Sequence, residues 1–439
     1  MGLLRDAIAR RFSRSNTVHE NEPKRRRTSS IPSSPALAPE IPSKATGSAD
    51  PILFGIVLAL IAFGVVMVFS ASAVFASQRY GNGHFFLVRQ GLFAAAALPL
   101  MIIASRIDYR HFRRLTYPIL AVTTTLLVYV ALGFGHSAGG AARWIAVGPV
   151  HIQPAEMAKL SMILWLAYSL SKKQEAIRTF RIGILPHLVV MGLFALLCLK
   201  QPDFGSATMI CVLTFVMLFA AGAKVGPIAL LVAAGASIAA ILVWSSPYRM
   251  RRIEAFLDPF GHRQDAGYQI AESLLSFGSG GATGVGIGDS RQKLFFLPEA
   301  HTDFISAIVG EELGFIGIAL VVFAFVWIVI RGVRIAFRAV DDYGAFLALG
   351  VTMFVGLQAF TNLAVAMGLL PTKGLVLPFL SYGGSALLVN AAALGVLLNV
   401  SRPREGQSSH PNVDSKPTAE PKNIGVRFSN GHLPKGSAA

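Results

Sequence analysis

Residues 52–76 read ILFGIVLALIAFGVVMVFSASAVFA and contain no Lys, Arg, Asp or Glu. A helix that crosses the hydrocarbon core of a bilayer needs roughly 20 consecutive apolar residues, so this stretch predicts a membrane-spanning helix. Further apolar stretches of similar length follow, and together they predict an all-α polytopic membrane protein with ten transmembrane helices. The predicted spans are 51–76, 86–104, 114–135, 155–171, 182–200, 205–222, 226–244, 304–330, 343–368 and 376–400.

The composition agrees with this class of protein. Hydrophobic residues make up 53% of the chain and charged residues 14%, whereas soluble domains carry roughly 25% charged residues. Residues 1–50 hold nine Lys and Arg among many Ser and Pro, a composition typical of disorder. We therefore predict a disordered basic cytoplasmic tail at 1–50, a membrane domain at 51–402 and a second disordered cytoplasmic tail at 403–439.

The placement of the basic residues predicts the orientation. With the N-terminus inside, the short cytoplasmic loops carry twelve Lys and Arg and the short outer loops five, which places both termini in the cytoplasm. The net charge of +16 lies in the tails and alternate loops, with no basic groove interleaved with aromatic residues, so nucleic acid is not an expected partner. Cys198 and Cys211 lie in apolar segments and predict neither a disulfide framework nor a metal site.

One connection is far longer than the others. Residues 245–303 form a predicted outer loop of about 60 residues, too long for a passive link. Within it, Tyr268–Phe277 predicts a short helix or a re-entrant element. The glycine-rich run 278–288 lacks both common nucleotide-binding patterns and is interpreted as flexible backbone near a ligand, or as a hinge.

The densest polar cluster ends this loop, where residues 297–304 read LPEAHTDF and Glu311-Glu312 follow. Asp303 could cap the next helix, but a cap needs one polar oxygen, and this segment also supplies Glu299, His301 and Thr302. A carboxylate at the membrane–water boundary could take a proton from a substrate hydroxyl while helices exclude water. The pattern indicates a lipid-facing enzyme or a transporter and does not choose between them.

Further charged residues lie in or beside the spans, where each is a candidate functional group. Glu156 and Lys159 stand three residues apart on one helical face, as an internal ion pair or as ligand-binding groups. Asp203 is either an N-terminal cap or a ligand-binding group. Arg143 precedes Trp144 and either anchors at the lipid headgroups or holds a phosphate.

Six motifs in order resemble the SEDS family (FtsW/RodA) of bacterial cell-wall polymerases, over residues 51–402. Three segments resemble the division (FtsW) branch more closely than the elongation (RodA) branch: PEAH at 298–301, GEELGFIG at 310–317 and PTKG at 371–374. Ser306 and Ala386 depart from the residues usual in the family, beside motif positions. The motifs are ARWI at 142–145, QPAEMAK at 153–159, QPDFG at 201–205, GYQ at 267–269, LPEAHTDFI at 297–305 and PFLSYGGS at 378–385.

The resemblance implies polymerisation of lipid II into peptidoglycan glycan strands, with release of undecaprenyl pyrophosphate. It implies that Asp303 is the general base, and that Arg143 and Lys159, or a divalent cation (Mg²⁺ or Mn²⁺), stabilise the leaving pyrophosphate. No other cofactor is expected. The remaining candidates for substrate or pyrophosphate binding are Glu156, Asp203, Gln269, Glu299, His301, Thr302, Lys373 and Ser381.

The resemblance also implies partners and a location: a class B penicillin-binding protein of the FtsI type, the division proteins FtsQ, FtsL, FtsB and FtsN, and the inner membrane at the division septum. Two other functions remain open, a lipid II flippase and a non-catalytic division scaffold. The polymerase is favoured because the richest polar cluster lies on the predicted outer side, with no matching cluster on the inner side to load cargo.

Overall fold

The computed structural model describes residues 47–404, apart from 139–140, 149, 266, 295 and 373. Within these residues the chain forms twelve α-helices. They are α1 (Pro51–Tyr80), α2 (Phe85–Arg106), α3 (Tyr109–Tyr129), α4 (Pro154–Lys172), α5 (Leu185–Lys200), α6 (Phe204–Ala220), α7 (Val225–Trp244), α8 (Pro247–Leu257), α9 (Tyr268–Gly280), α10 (Ile305–Arg338), α11 (Asp342–Ala366) and α12 (Gly384–Val400). A π-helical turn, Val130–Phe134, continues α3, and another, Phe180–Ile184, leads into α5.

Each of the ten predicted spans coincides with one of these helices, and α8 and α9 are short helices of the long loop. Six helical stretches in the described part of the chain are long and apolar enough to cross a membrane, and three shorter apolar helices accompany them. The prediction of an all-α polytopic membrane protein is confirmed, and ten spans are compatible with this helix order. The expected short helix at Tyr268–Phe277 is α9.

The last predicted span begins too early. Residues 376–383 form a loop, and α12 starts only at Gly384. Pro378 lacks a backbone N–H and disfavours helix in the residue before it, and Phe379 has a positive φ of 67°. Apolar composition alone could not distinguish this buried loop from the helix that follows it.

A small antiparallel sheet between α3 and α4 was not predicted. It consists of β1 (His136–Ala138), β2 (Ala141–Val147) and β3 (Val150–Ile152) in the order β1-β2-β3. The strands are short, and they project from the helices at the end where the long loop also lies against α10. This sheet positions Arg143 on its central strand.

The helices pack around α4 and α11. Helix α11 packs against α10, α4 and α12, while α12 lies along α2. Large side chains such as Phe346 and Phe354 are fully buried. Other helix faces expose large apolar side chains, for example Leu230 at 71% and Phe323 at 59%, as expected where helices face lipid tails instead of water.

Both chain ends of the described region are held by ion pairs. Asp50 caps α1 by accepting from the N–H groups of Ile52 and Leu53 at 3.1 and 3.0 Å, and it pairs with Arg331 at 2.8 Å. Arg404 pairs with Asp108 at 2.8 Å. Most of both predicted tails, 1–46 and 405–439, lies outside the described residues, so their disorder stays a prediction.

Helix α10 is interrupted one-third of the way along. Gly314 has φ 65° and ψ −161°, a conformation that essentially only glycine adopts. The backbone groups freed by this break are paired with the glycine-rich run, which therefore fills the interruption as an ordered ribbon at 281–286. Its hydrogen bonds are Val285 N–H to Glu311 O (3.0 Å), Gly286 N–H to Glu312 O (3.1 Å), Phe315 N–H to Gly281 O (2.9 Å) and Ile316 N–H to Ala282 O (3.2 Å).

Candidate active site

Four separate parts of the chain meet at one end of the helix bundle: the strand β2, the turn between α5 and α6, the loop before α10, and the loop between α11 and α12. The last of these is held against the small sheet by Ser385, whose hydroxyl donates to His151 O at 2.8 Å and accepts from Gln153 N–H at 3.2 Å. These contacts bring residues that are distant in sequence to one place.

Arg143 is fixed by backbone carbonyls. Its Nε donates to Gln201 O at 3.2 Å, and its Nη2 donates to Pro202 O. Gln201 is itself buried and donates from Nε2 to Leu127 O at 3.0 Å. The guanidinium is therefore oriented by the α5–α6 turn, and within the described residues no carboxylate is within ion-pair distance of it.

Asp303 and Arg143 border the same glycine. A Cβ atom placed on Gly374 would lie 3.3 Å from Asp303 Oδ2 and 3.9 Å from Arg143 Nη1. The loop between α11 and α12 thus passes close to a carboxylate and a guanidinium at once. A side chain at position 374 would occupy space directly beside the carboxylate.

Asp303 is not the cap of α10. The helix begins at Ile305, with Phe304 in the capping position, so Asp303 lies one residue too early. Its backbone carbonyl instead accepts from Asn362 Nδ2 at 2.8 Å, and the same amide nitrogen donates to Leu375 O at 2.7 Å. Asn362 on α11 therefore joins the loop of Asp303 to the loop of Gly374.

The turn before Asp303 is closed by Glu299 and Thr302. Glu299 has a positive φ of 57°, uncommon for a residue with a side chain. Its carbonyl accepts from Thr302 N–H at 3.1 Å and Phe304 N–H at 3.3 Å, and its Oε2 accepts from the Thr302 hydroxyl at 2.8 Å. The Glu299 carboxylate is consequently held near Asp303 on an exposed surface.

The surroundings of Asp303 raise the pKa of its carboxyl group above the value in water. Removal from water, with a smaller effect of the Glu299 charge, raises the pKa of Asp303 from 3.8 to about 7, although Arg143 acts in the opposite direction. A carboxyl group with a pKa near the working pH suits general base catalysis.

His301 lies on the side of the same turn that faces α1 and α2. Its ring packs against Phe86 at 4.5 Å and Phe75 at 5.8 Å between centroids, and its carbonyl accepts from Tyr382 N–H at 2.9 Å. Burial lowers the pKa of the His301 imidazole, so the ring is neutral at pH 7. Its contacts hold the turn against α1, α2 and the loop before α12.

Glu156 and Lys159 form the internal ion pair that the sequence left as one of two possibilities. Lys159 Nζ lies 2.6 Å from Glu156 Oε1, and the two side chains are 0% and 5% exposed. Lys159 also lies 5.5 Å from the centre of the Phe354 ring. Glu156 Oε2 has no hydrogen-bond partner among the residues that the structure describes, so one polar atom of the pair stays available to a ligand or a water molecule.

The other candidates take different positions. Asp203 caps α6 through Ser206 N–H at 3.0 Å and accepts from Gln153 Nε2 at 3.2 Å, and its ligand-binding role stays a prediction. Ser381 is buried, and its hydroxyl accepts from Leu377 N–H at 2.8 Å. Gln269 lies in the first turn of α9, which packs on α10 and α11. Lys373 lies outside the described residues.

Three residues that the sequence did not single out organise the site. Asn362 and Gln201 connect separate segments through hydrogen bonds, and Gly374 allows close approach to Asp303 and Arg143 because it has no side chain. Gln201 and Gly374 stood inside quoted motifs, and an Asn inside an apolar span was a visible signal, because membrane helices rarely bury an amide without a partner.

The side chains do not form a metal cage. Among the residues the structure describes, no group of three or more His, Cys, Asp or Glu is placed to hold a metal ion. The two cysteines are free, as expected. The positive charge beside Asp303 comes from Arg143.

Comparisons with known proteins agree with this architecture. The model of the FtsW/RodA/SpoVE family, described as cell cycle protein, matches residues 51–406. A probable peptidoglycan glycosyltransferase FtsW of Geobacter metallireducens is 46% identical over 358 residues, covering 81% of this chain and 96% of the relative. Stage V sporulation protein E of Bacillus subtilis is 43% identical over 356 residues, covering 81% and 97%.

Solved structures are similar in fold. One chain belongs to a structure described as "Structural coordination of polymerization and crosslinking by a peptidoglycan synthase complex". It has a TM-score of 0.66 and 28% identity, and the match covers 81% of this chain and 98% of that one. The rod shape determining protein RodA of Thermus thermophilus has a TM-score of 0.60 and 27% identity, with the same coverage.

Proposed function

The chain belongs to the FtsW/RodA/SpoVE family of cell cycle proteins, and on that premise we propose how it acts as a peptidoglycan glycosyltransferase. The donor is a glycan chain linked to undecaprenyl pyrophosphate, and the acceptor is lipid II. A sugar hydroxyl of the acceptor attacks the anomeric carbon of the donor. The new glycosidic bond forms as the bond to the pyrophosphate oxygen breaks, and undecaprenyl pyrophosphate leaves.

The observation that carries this proposal is the convergence of Asp303 and Arg143 on Gly374. Asp303 takes the proton of the attacking hydroxyl. With a pKa of about 7, about half of the carboxyl groups are ionised at neutral pH, and the group is a much stronger base than an exposed Asp. The partial burial that raises the pKa also limits the access of water that would compete with the sugar hydroxyl.

Arg143 stabilises the negative charge of the leaving pyrophosphate. Its guanidinium is already oriented by two backbone carbonyls, so little reorganisation is needed when charge develops. Lys159 forms an ion pair with Glu156 between the packed helices. We propose that this pair stabilises the helix packing that supports the site. A divalent cation bound to the pyrophosphate would supply further positive charge to the leaving group.

The working unit that we propose includes further proteins and a location. A class B penicillin-binding protein of the FtsI type would cross-link the strands made here; in support, a similar chain was solved within a peptidoglycan synthase complex. FtsQ, FtsL, FtsB and FtsN are proposed as regulators, at the septal inner membrane with both termini in the cytoplasm. Membrane fractionation and pull-down from dividing cells test these assignments.

The test of the function uses the purified full chain with its transpeptidase partner and fluorescent lipid II. Asp303→Asn should lower the rate of glycan polymerisation by about 10²-fold or more, the contribution typical of a general base. The matched control is Asp265→Asn, which changes an exposed carboxylate of the same loop and should polymerise normally. Equal thermal unfolding of the two variants shows that the fold is intact.

Normal polymerisation by Asp303→Asn would refute the role of Asp303. Transfer of lipid II across liposome membranes without any polymer would favour a flippase instead, and neither activity would favour a scaffold.

A further inference from the structure

A second buried ion pair, unused by the mechanism above, joins the long loop to α10. Lys293 Nζ lies 2.9 Å from Glu312 Oε1, and the side chains are 7% and 0% exposed. The hydroxyl of Ser70, on α1, lies 2.6 and 2.8 Å from the two Glu312 carboxylate oxygens and 3.3 Å from Lys293 Nζ. Lys293 also donates to Gly288 O.

Such a pair is a poor source of stability. Removing two charges from water costs several kcal/mol per ion, and replacing a buried ion pair with apolar residues is often neutral or stabilising. What a fully hydrogen-bonded pair does provide is one defined arrangement of the elements that carry it. Here these elements are α1, α10 and the segment just before the turn of Asp303.

The neighbouring carboxylate reinforces the same connection. Glu311 accepts from the Ser290 hydroxyl and, through Oε1, from Arg291 N–H at 2.9 Å. Upstream, the ribbon 281–286 is hydrogen-bonded to the backbone of α10 on both sides of its break. The chain from 281 to 293 is thus attached to α10 at both of its ends, through 281–286 and through 290–293.

The ion pair between Lys293 and Glu312 joins segments on the two sides of Asp303 in the chain. Lys293 precedes Asp303 in the chain and Glu312 follows it, so their ion pair closes a ring of chain that contains the proposed base. Within the ring, Leu297 N–H donates to Gln292 O at 2.9 Å, which connects the ion pair to the turn that begins at Glu299. Loss of the pair would remove the side-chain contact nearest to the turn and leave the Glu311 contacts at Ser290 and Arg291 to close the ring.

We propose that Lys293 and Glu312, with Ser70, are positioning residues for the glycosyl transfer: they help to close the ring that holds the half-buried Asp303 carboxylate beside Gly374. The proposal rests on Asp303 acting as the base. Both the Lys293 and the Glu312 side chain are buried. Their effect is exerted through the placement of residues 297–304.

The test compares the double variant Lys293→Met/Glu312→Gln with wild type. The double variant leaves no unpaired buried charge, so it should fold and unfold thermally much as wild type does. Its kcat for lipid II polymerisation should fall on the order of tenfold with KM nearly unchanged, because a small displacement of a catalytic group is costly. Amide hydrogen exchange in residues 297–304 should accelerate.

A further readout separates positioning from simple structural support. If the turn loosens, water reaches Asp303, and the pH at which polymerisation is half-maximal should decrease. The control is Asp289→Asn, an exposed carboxylate in the same segment, which should leave the rate, the pH midpoint and the exchange unchanged. Single variants, which leave one buried charge alone, are expected to lose stability and serve only for comparison.

A double variant with wild-type kcat, pH midpoint and hydrogen exchange would overturn the inference. That result leaves the proposed function intact as long as Asp303→Asn is inactive, whereas an active Asp303→Asn would refute the proposed base first. Loss of activity together with loss of fold in the double variant would also overturn the inference, because it would assign the pair a purely structural role.

Discussion

Replacement of Glu299 by Gln should shift the pH dependence of polymerisation downwards. The base works only when ionised, and the pKa of Asp303 is raised to about 7, so activity should be lost as the pH falls through 7. Burial is the larger cause of this rise and the negative charge of Glu299 the next. Gln removes that charge while keeping an oxygen that can accept from the Thr302 hydroxyl.

The size of the shift follows from the exposure of Glu299. The rise from 3.8 to about 7 corresponds to about 4 kcal/mol in favour of the neutral carboxyl group. An exposed neighbouring charge contributes about 1 kcal/mol through surrounding water, which is nearly one pKa unit. The ratio of rates at pH 8 and pH 6 should therefore fall from about tenfold in wild type to about threefold in Glu299→Gln.

The assay is the initial rate of glycan formation from fluorescent lipid II across pH 5.5–8.5 at constant ionic strength. Because the ratio compares one enzyme with itself, it does not depend on how Gln affects the maximal rate. Raised salt should shift the wild-type profile in the same direction, since salt screens an exposed charge. Asp265→Asn should keep the wild-type ratio.

Two results would refute this reasoning. A flat wild-type profile between pH 6 and 8 would mean that ionisation of Asp303 does not govern the rate. An unchanged tenfold ratio in Glu299→Gln would mean that burial alone sets the pKa of Asp303.

Two further predictions concern the supporting residues. Glu156→Gln, which leaves Lys159 as an unpaired buried charge, should lower the free energy of unfolding by about 3–5 kcal/mol, whereas Glu156→Gln/Lys159→Met should lower it much less. Thermal unfolding in detergent measures both variants, and equal losses would contradict the ion-pair argument. Gly374→Ala should reduce polymerisation on the order of tenfold with nearly unchanged unfolding, because its Cβ would lie 3.3 Å from Asp303 Oδ2. An Ala variant with the normal rate would show that this space is not needed by substrate.

The parts of the fold that sequence could predict are those governed by the length of apolar stretches. Lipid requires helices of a minimum length, so each predicted span coincides with a helix, as for residues 52–76 within α1. The limits of this reasoning appear at 376–383, where apolar residues form a buried loop. Strand β2 also escaped prediction, because its pairing depends on the neighbouring strands and not on its own pattern.

The site was partly predictable for a similar reason. Charged residues near a membrane are rare enough to attract attention individually, which is how Asp303, Arg143 and the Glu156–Lys159 pair were found. Their relations were not predictable: Asp303 was weighed as a helix cap, yet it lies one residue before the capping position. The amide of Asn362 and the bare backbone of Gly374 act across long sequence separations, which no local pattern reveals.

The interruption of α10 has a consequence for biosynthesis. The ribbon 281–286 is translated before the helix whose freed backbone groups it pairs with, so its hydrogen bonds at Glu311, Glu312, Phe315 and Ile316 cannot form during its own synthesis. A bilayer tolerates unpaired backbone groups poorly, so α10 should enter the membrane as a continuous helix. The break at Gly314 would then form only when the ribbon 281–286 makes its hydrogen bonds with α10. Assembly of the loop would therefore be a late event that follows membrane insertion.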